Sequence, residues 1–169
     1  MKRLNILLAL IFISLMNSGC ALYHHYGPYY GKVVDMETKQ PLEGAVVLAD
    51  YYTWLWGSPG GPSVYFLDTQ EVVTDKNGEF KIEPLNAFAF RPISTFNSYP
   101  GFRIFKPRYE CYKYAIPVDR YATIELRELK TKEERLENLA CYPTAVPSQA
   151  MKRMLELNRL ERIDLGLKP

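Results

Sequence analysis

Three hydrophobic patterns follow one another along the chain. An almost unbroken apolar run covers residues 4–16. Residues 31–129 contain several short segments in which apolar and polar positions alternate, as Phe80 and Ile82 do with the charged residues around them. Such alternation is typical of strands with one buried face. Residues 130–169 change to the three- and four-residue spacing of amphipathic helices. Together the patterns predict an all-β sandwich of about seven strands with a two-helix C-terminal appendage.

The clearest turn along the chain is residues 75–78, Asp-Lys-Asn-Gly, between two segments of strand character. The Asn-Gly pair favours the positive φ that a tight reversal requires. The flanking segments, Glu71–Thr74 and Glu79–Glu83, are therefore predicted to pair as a β-hairpin. The other predicted strands are residues 32–34, 45–49, 64–67, 102–105, 109–116 and 122–127.

The helical segment carries its own start and stop signals. Thr131 followed by Glu134 matches a capping box that opens the first helix. Ser148 is the predicted cap of a second helix, which runs to about Asp164 and ends before Gly166. The predicted apolar sides are Leu136, Leu139 and Ala140 in the first helix and Met151, Met154, Leu155 and Ile163 in the second.

The N-terminal apolar run has the flanks of a secretory signal. Two basic residues precede it and small or polar residues follow it. The run is also shorter than the roughly 20 apolar residues of a membrane-spanning helix. Its Ser-Gly-Cys ending at Cys20 resembles the lipobox of bacterial lipoproteins, with Asn17 where leucine is usual. The resemblance implies removal of residues 1–19 and attachment of diacylglycerol to Cys20.

An acylated Cys20 would hold the domain at a bacterial membrane. Ala21 follows the cysteine, and the absence of aspartate there favours the outer membrane, with the domain facing the periplasm. An uncleaved N-terminal anchor is the alternative. Residues 20–30 are expected to form the lipidated cysteine and a surface tether that leads into the folded domain.

The charge of the chain argues against a nucleic-acid partner. Lys2 and Arg3 alone account for the formal net charge of +2, so the part expected to remain after cleavage has no net charge. The sequence therefore predicts no basic surface patch of the kind that binds nucleic acid.

The chain has two histidines, His24 and His25, and they are adjacent. Neighbouring side chains of an extended segment point in opposite directions, so the two rings do not suit a common metal ion. No metal site and no cofactor are predicted.

Acylation of Cys20 would leave Cys111 and Cys141 as a pair in an oxidising compartment. The count favours a disulfide between them. Two separately buried thiols are the alternative, because a bridge requires Cα atoms within about 7 Å and the sequence does not give that distance.

Two sequence blocks resemble the carboxypeptidase regulatory-like domain family. The first, residues 31–46, reads Gly-Lys-Val-Val-Asp-Met-Glu-Thr-Lys-Gln-Pro-Leu-Glu-Gly-Ala-Val, and the second, residues 73–80, reads Val-Thr-Asp-Lys-Asn-Gly-Glu-Phe. Family members commonly have glycine where this chain has Lys39. The resemblance covers residues 31–129. It implies a transthyretin-like β-sandwich that acts as an accessory module without enzymatic activity.

Residues 51–62 combine clustered aromatic side chains with a run of glycine, serine and proline, which predicts a long loop. The rings of Tyr51, Tyr52, Trp54 and Trp56 are the candidate contact site for a partner, because aromatic clusters on loops are often contact surfaces. Packing of the same rings beneath the C-terminal helices is the alternative.

These features predict a non-catalytic, membrane-anchored envelope lipoprotein whose β-sandwich mediates protein interaction or structural support. A carbohydrate-binding accessory module is the alternative, and an enzyme of unrecognised type is the second alternative. The predicted partners are the membrane and either another envelope protein or a glycan, since a fold of this kind does not specify its ligand.

Overall fold

The computed structural model describes residues 23–55, 60–61, 63–90, 94–118 and 120–168, together with Ile6. Nine strands and two C-terminal α-helices lie within these residues. The strands are β1 (Tyr23–Tyr26), β2 (Tyr29–Asp35), β3 (Val46–Leu55), β4 (Ser63–Val73), β5 (Glu79–Ile82), β6 (Leu85–Phe88), β7 (Ser94–Phe96), β8 (Gly101–Phe105) and β9 (Tyr121–Leu126). The helices are α1 (Lys132–Asn138) and α2 (Lys152–Asp164), with 3₁₀ turns at Leu139–Cys141 and Ser148–Ala150 between them.

The strands belong to three sheets. In the first, β2 lies between β5 and β9, antiparallel to β5 and parallel to β9. In the second, β3 pairs antiparallel with β4 on one side and with β7 and β8 on the other. The strands β1 and β6 form a two-stranded antiparallel ribbon. The chain is thus mostly β-structure in several sheets, with the two helices at its C-terminal end, as the sequence pattern predicts.

The main hydrophobic core lies between the two larger sheets. It contains Val33 and Ile124 from the three-stranded sheet and Val47, Tyr51 and Ile104 from the β3 sheet, all buried. Burying a large apolar side chain contributes about 1.5–3 kcal/mol, so this contact is a major source of stability. The face-to-face packing of the two sheets is consistent with the predicted β-sandwich.

A second core lies on the other face of the β3 sheet. Val46, Leu48 and Phe105 of that sheet pack against Val146 and Met154 from the C-terminal part of the chain. Strand β3 is therefore buried on both faces, which explains its nearly continuous apolar sequence. Helix α2 and the segment between the two helices therefore form a layer on this face of the sheet.

Polar contacts hold the two helices together. The Glu161 carboxylate is 1% exposed and accepts hydrogen bonds from Arg135 Nε at 2.7 Å and Arg135 Nη2 at 2.9 Å. The backbone N–H of Arg108 donates to the same carboxylate at 3.2 Å. A buried carboxylate needs such partners, because leaving it unpaired would cost several kcal/mol.

The helix start predicted at Thr131 is confirmed, because its hydroxyl accepts from the Glu134 N–H and the Glu134 side chain accepts from the Thr131 N–H. The predicted apolar side of α1 is wrong, since α1 buries no residue and Leu136 is exposed. In α2, Met154 is buried as predicted, whereas Ile163 is exposed. No helix within the described residues is long and apolar enough to cross a membrane.

The two sequence blocks at residues 31–46 and 73–80 form one hydrogen-bonded unit. The Val33 N–H donates to the Gly78 carbonyl at 2.8 Å, and the Leu42 N–H donates to the Val33 carbonyl at 3.0 Å. The Thr74 hydroxyl donates to the Leu42 carbonyl at 2.6 Å. Each block therefore fixes the backbone of the other.

The first block turns back at residues 35–40, where Asp35 Oδ1 accepts hydrogen bonds from the Glu37 and Thr38 N–H groups. These bonds lower the pKa of Asp35, the Thr38 N–H being the largest cause. Lys39 has φ 59°, so a non-glycine residue occupies a left-handed position in this turn.

The turn predicted at residues 75–78 is confirmed, but the predicted pairing of the two segments that flank it is wrong. Gly78 has φ 75°, and the Gly78 N–H donates to the Asp75 carbonyl at 2.8 Å. However, β5 pairs with β2 in the three-stranded sheet, while β4 pairs with β3 in the other sheet. The turn therefore carries the chain from one sheet to the other. Phe80 and Ile82 are buried, as their alternation predicts.

Residues 23–30 do not form the expected tether. Residues 23–26 form β1, and Tyr26 and Tyr29 are each 1% exposed within the main core. Burial of two large rings fixes this segment to the domain, because aromatic side chains contribute much of a core's apolar area.

The segment 109–116 is not the predicted strand. It makes isolated bridges, from Tyr112 to Ile104 and from Tyr109 to Glu128. The segment thus crosses between the two large sheets without joining either as a strand.

Candidate functional site

Two of the residues predicted as a contact site, Tyr51 and Tyr52, lie in different cores. Tyr51 is fully buried in the main core, with its ring centroid 4.8 Å from that of Tyr26. Tyr52 is buried in the second core, beneath the C-terminal part of the chain. Both lie in β3 and not in a loop, and because β3 is covered on both faces, each ring points into one core. Trp54 is half-buried in the same strand. Trp56 and Cys20 lie outside the described residues.

Cys111 and Cys141 form a disulfide, with their Cα atoms 5.8 Å apart. The bond joins the segment after β8 to the 3₁₀ turn after α1, so it ties the helical layer to the β-structure. The Asn138 side chain supports the same junction, since its Oδ1 accepts from the Cys111 N–H at 2.8 Å and its Nδ2 donates to the Tyr109 carbonyl at 2.8 Å.

Asp50 is a buried carboxylate on the outer face of the β3 sheet, 2% exposed. The Tyr52 hydroxyl donates a short hydrogen bond to Asp50 Oδ2, and Oδ1 has no partner among the described residues. Burial raises the pKa of Asp50, against the opposing effects of the Tyr52 hydrogen bond and the charge of Arg103. The carboxylate is shielded from solvent, so we assign it no ligand contact.

The two histidines make separate contacts at the β1–β6 ribbon. The His24 ring stacks on Phe96 with centroids 5.6 Å apart, and its burial lowers the pKa of His24. His25 Nδ1 lies 2.7 Å from Asn86 Oδ1 on the opposite, exposed face. Within the part of the chain that the structure describes, no cluster of three or more histidine, cysteine, aspartate or glutamate side chains could hold a metal ion.

A groove of about 570 Å³ lies between strand β9, the segment 110–114 and helix α1, and we call it the edge groove. Among the described residues, β9 is an edge strand of its sheet, and just beyond its end the Arg127 carbonyl accepts from the Glu110 N–H. Tyr114 and Met36, at its rim, are 72% and 42% exposed. The other residues that line it include Lys113, Glu125, Arg127 and Glu137.

The charges within the edge groove are partly fixed by ion pairs. Arg127 Nε lies 3.1 Å from Glu110 Oε2, and Arg127 Nη1 lies 2.8 Å from Glu134 Oε1. The guanidinium group therefore bridges two carboxylates. The hydrogen bond from Arg127, together with the backbone N–H groups of Thr131 and Lys130, lowers the pKa of Glu134 to about 2. Glu125 is also paired, with Lys39 Nζ at 2.7 Å, so Glu137 is the lining glutamate outside these ion pairs. Its carboxylate favours a cationic or neutral ligand.

The segment that carries Tyr114 is hydrogen-bonded to β8 and to the chain that follows β9. The Tyr112 N–H and carbonyl pair with Ile104 at 3.1 Å and 3.0 Å, and the Glu110 N–H donates to the Arg127 carbonyl at 2.9 Å. The disulfide at Cys111 fixes the residue between them. The exposed tip at residues 113–115 is therefore presented from a rigid base, an arrangement typical of binding loops.

Sequence reasoning did not find the edge groove. It predicted residues 109–116 as a strand, whereas Tyr114 is an exposed residue of an irregular segment. The available signal was the lack of a clean two-residue alternation from Tyr109 to Ile116, which argues against a strand with one buried face.

No protein-family model matches this chain, and no curated protein matches it significantly. Among solved structures it is similar to an alternative pilotin from the type II secretion system of Vibrio cholerae, with 15% sequence identity and a TM-score of 0.27. That likeness covers 64% of this chain and 97% of the pilotin chain. A TM-score of this size carries no inference about the fold or function of this chain.

Proposed function

We propose that this chain is a non-catalytic, lipid-anchored protein of the bacterial cell envelope that binds an extended segment of another envelope protein in the edge groove. The observation that carries this proposal is the groove itself, because it lies beside an edge strand and is bordered by an exposed aromatic ring on a rigid base. Extended peptides commonly bind by adding a strand to a free sheet edge, with side-chain pockets supplying specificity.

The chemistry of the groove favours a partner segment with a basic side chain. Glu137 lines it beside the Arg127 cluster, while Glu125 is paired with Lys39 Nζ at 2.7 Å. Tyr114 and Met36 offer apolar surface at the rim. Aromatic and methionine side chains are enriched at the centres of protein interfaces, and charge complementarity adds selectivity.

The anchor part of the proposal rests on the sequence. The basic start, the apolar run and the Ser-Gly-Cys20 ending support export and acylation at Cys20. Ala21 supports retention in the outer membrane, with the domain facing the periplasm.

We also propose a transthyretin-like fold for residues 31–129. The mutual hydrogen bonding of the blocks at residues 31–46 and 73–80 supports it, because the two stretches that carry the family resemblance contact each other. The left-handed backbone of Lys39 supports it as well, since glycine is the common family residue at that position.

A carbohydrate ligand is the second candidate. The rings of Tyr112 and Tyr114 lie 5.3 Å apart in an edge-to-face arrangement at the groove, and exposed rings can stack on sugars. The two candidates differ in one outcome: oligosaccharides of the envelope should release a glycan-bound protein and leave a protein partner in place.

The test is capture from detergent-solubilised membranes with full-length protein as bait. We expect Tyr114→Ser to lose the partner that the unchanged protein retains. Tyr99→Ser is the matched control, because Tyr99 is 56% exposed, lies between β7 and β8 and does not line the groove. Equal capture by both variants would contradict the assignment of the groove. Turnover of a small metabolite by the purified protein would contradict the non-catalytic part.

The anchor is tested separately. Acyl chains contribute about 0.8 kcal/mol for each buried CH₂ group, so Cys20→Ala should move the protein from the membrane to the soluble fraction. Continued membrane fractionation of that variant would contradict acylation at Cys20.

A further inference from the structure

The outward face of the β1–β6 ribbon carries exposed aromatic rings, and we call it the ribbon face. Tyr23 pairs with Phe88 across the two strands, and both side chains are more than half exposed, at 61% and 73%. The alternation of β6 continues one step beyond the strand, where Phe90 is 68% exposed. Exposed aromatic rings that form one group on a protein surface commonly mark a contact site.

The ribbon is fixed to the domain by its other face. Tyr26 and Ala87 are buried in the main core, and His24 stacks on Phe96. On the ribbon face itself, the Tyr23 hydroxyl donates to Asn86 Oδ1 at 2.8 Å. The rings therefore point outward because the strand alternation places them there, and the hydroxyl of Tyr23 is already satisfied.

The exposed rings lie at the end of the ribbon closest to Cys20 in the sequence. The register runs from Tyr23 opposite Phe88 to Tyr26 opposite Leu85, so the buried end is the one farther from Cys20. Only Ala21 and Leu22 stand between Cys20 and Tyr23. Three residue steps span at most about 10 Å, so an acylated Cys20 would hold Tyr23 within the headgroup layer of a bilayer.

We propose that the ribbon face lies in the interfacial layer of the membrane, so that the domain is attached by its lipid and oriented by its aromatic rings. The inference rests on the proposed acylation of Cys20. Tyrosine rings favour the interface because one end is apolar and the other is polar, and phenylalanine adds apolar contact at the same depth. Short attachment limits rotation of the domain, and the three rings set which face meets the lipid.

The test compares two positions of equal exposure in the lipidated full-length protein. Phe88→Cys and Tyr114→Cys are labelled with an environment-sensitive NBD fluorophore, since Phe88 and Tyr114 are 73% and 72% exposed. Each protein is reconstituted in phosphatidylcholine vesicles with or without lipids brominated near the headgroup end of the acyl chains. The melting temperature of each variant, compared with the unchanged protein, checks that both are folded.

We expect the fluorophore at position 88 to shift to the blue and lose most of its emission with brominated lipid, while the fluorophore at position 114 keeps its emission. Vesicle-bound protein without quenching at position 88, or with equal quenching at both positions, overturns the proposal and leaves the lipid anchor intact. A blue shift at position 88 that persists in detergent and grows with protein concentration assigns the face to a second copy, which also overturns it. An unmodified Cys20, found by mass spectrometry, overturns the anchor and the inference together.

Discussion

Replacing Gly78 with alanine would change two properties of the turn between β4 and β5. The residue has φ 75°, a left-handed conformation that alanine adopts at a cost. A Cβ atom there would also overlap the Val33 carbonyl oxygen and come within 3.1 Å of the Leu42 nitrogen. Since both neighbours are backbone atoms, they cannot move aside as the end of a flexible side chain could.

The expected destabilisation follows from these two effects. The left-handed backbone costs a non-glycine residue about 1–2 kcal/mol. Relief of the overlap requires the turn to move away from β2, which weakens the bond from the Val33 N–H to the Gly78 carbonyl, now 2.8 Å, and the neighbouring Leu42 bond. Each such hydrogen bond contributes about 1 kcal/mol, so Gly78→Ala should lower the free energy of unfolding by about 3 kcal/mol in total.

Gly44→Ala is the matched control. Gly44 has φ 76°, and the nearest atom to a Cβ there is the flexible Lys106 Nζ at 3.9 Å. This variant should lose only the conformational part, about 1 kcal/mol. Urea denaturation with a common slope measures the difference between the two variants. Equal losses for both would refute the argument, because they would mean that the contact of Gly78 with β2 adds nothing to stability.

Three further changes test other contacts. Glu71 accepts from the N–H groups of Arg153 and Met154, at 3.0 Å and 2.9 Å, so Glu71→Ala should lower the free energy of unfolding by about 1–2 kcal/mol. Glu156→Ala removes only an exposed ion pair with Arg159 in α2 and should lower it less. Replacing Cys111 and Cys141 together with alanine should cost about 2–4 kcal/mol in the same denaturation assay, and no change would mean that the bridge does not constrain the unfolded chain. The folded-state pKa of Glu134, about 2, lies below its ordinary value of 4.5, so its contribution is present above pH 4.5 and is lost as the pH falls towards 2. Acid titration of Glu134→Gln, followed by circular dichroism, should lack that loss, and an unchanged titration would contradict the assignment.

Local signals predicted the local structure well. The capping box at Thr131 and the positive φ of Gly78 depend on residues within a few positions, and both are present. The burial of Phe80 and Ile82 follows from two-residue alternation alone. These features need no knowledge of distant parts of the chain.

The errors arose where distant parts decide the structure. The turn at residues 75–78 suits a hairpin, but β5 pairs with β2, which is about 45 residues away in the sequence and leaves no local signal. Tyr51 and Tyr52 follow one another without alternation, which resembles a loop, yet a strand covered on both faces has the same appearance. Tyr26 and Tyr29 belong to the core although the residues around them, with a glycine and a proline, suggested a tether.

The candidate site was hidden for a related reason. The edge groove combines Met36 after β2, Tyr114 after β8, Glu125 in β9 and Glu137 in α1, which meet only in the folded chain. The ribbon face could be anticipated in part, because Phe88 and Phe90 alternate with small residues in the sequence. Its neighbour Tyr23 could not, since the pairing of β1 with β6 joins separate parts of the chain.

The parallel pairing of β2 with β9 constrains the order in which the chain can acquire its structure. The register places Tyr30 beside Tyr121. Strand β2, near the start of the domain, therefore cannot form this pairing until β9, which directly precedes the helices, is present. Strands β3 and β4 are neighbours in sequence and can associate early, whereas closing the long loop between β2 and β9 costs entropy before any contact repays it. The side of β2 that pairs with β9 therefore stays without that strand until most of the chain is present.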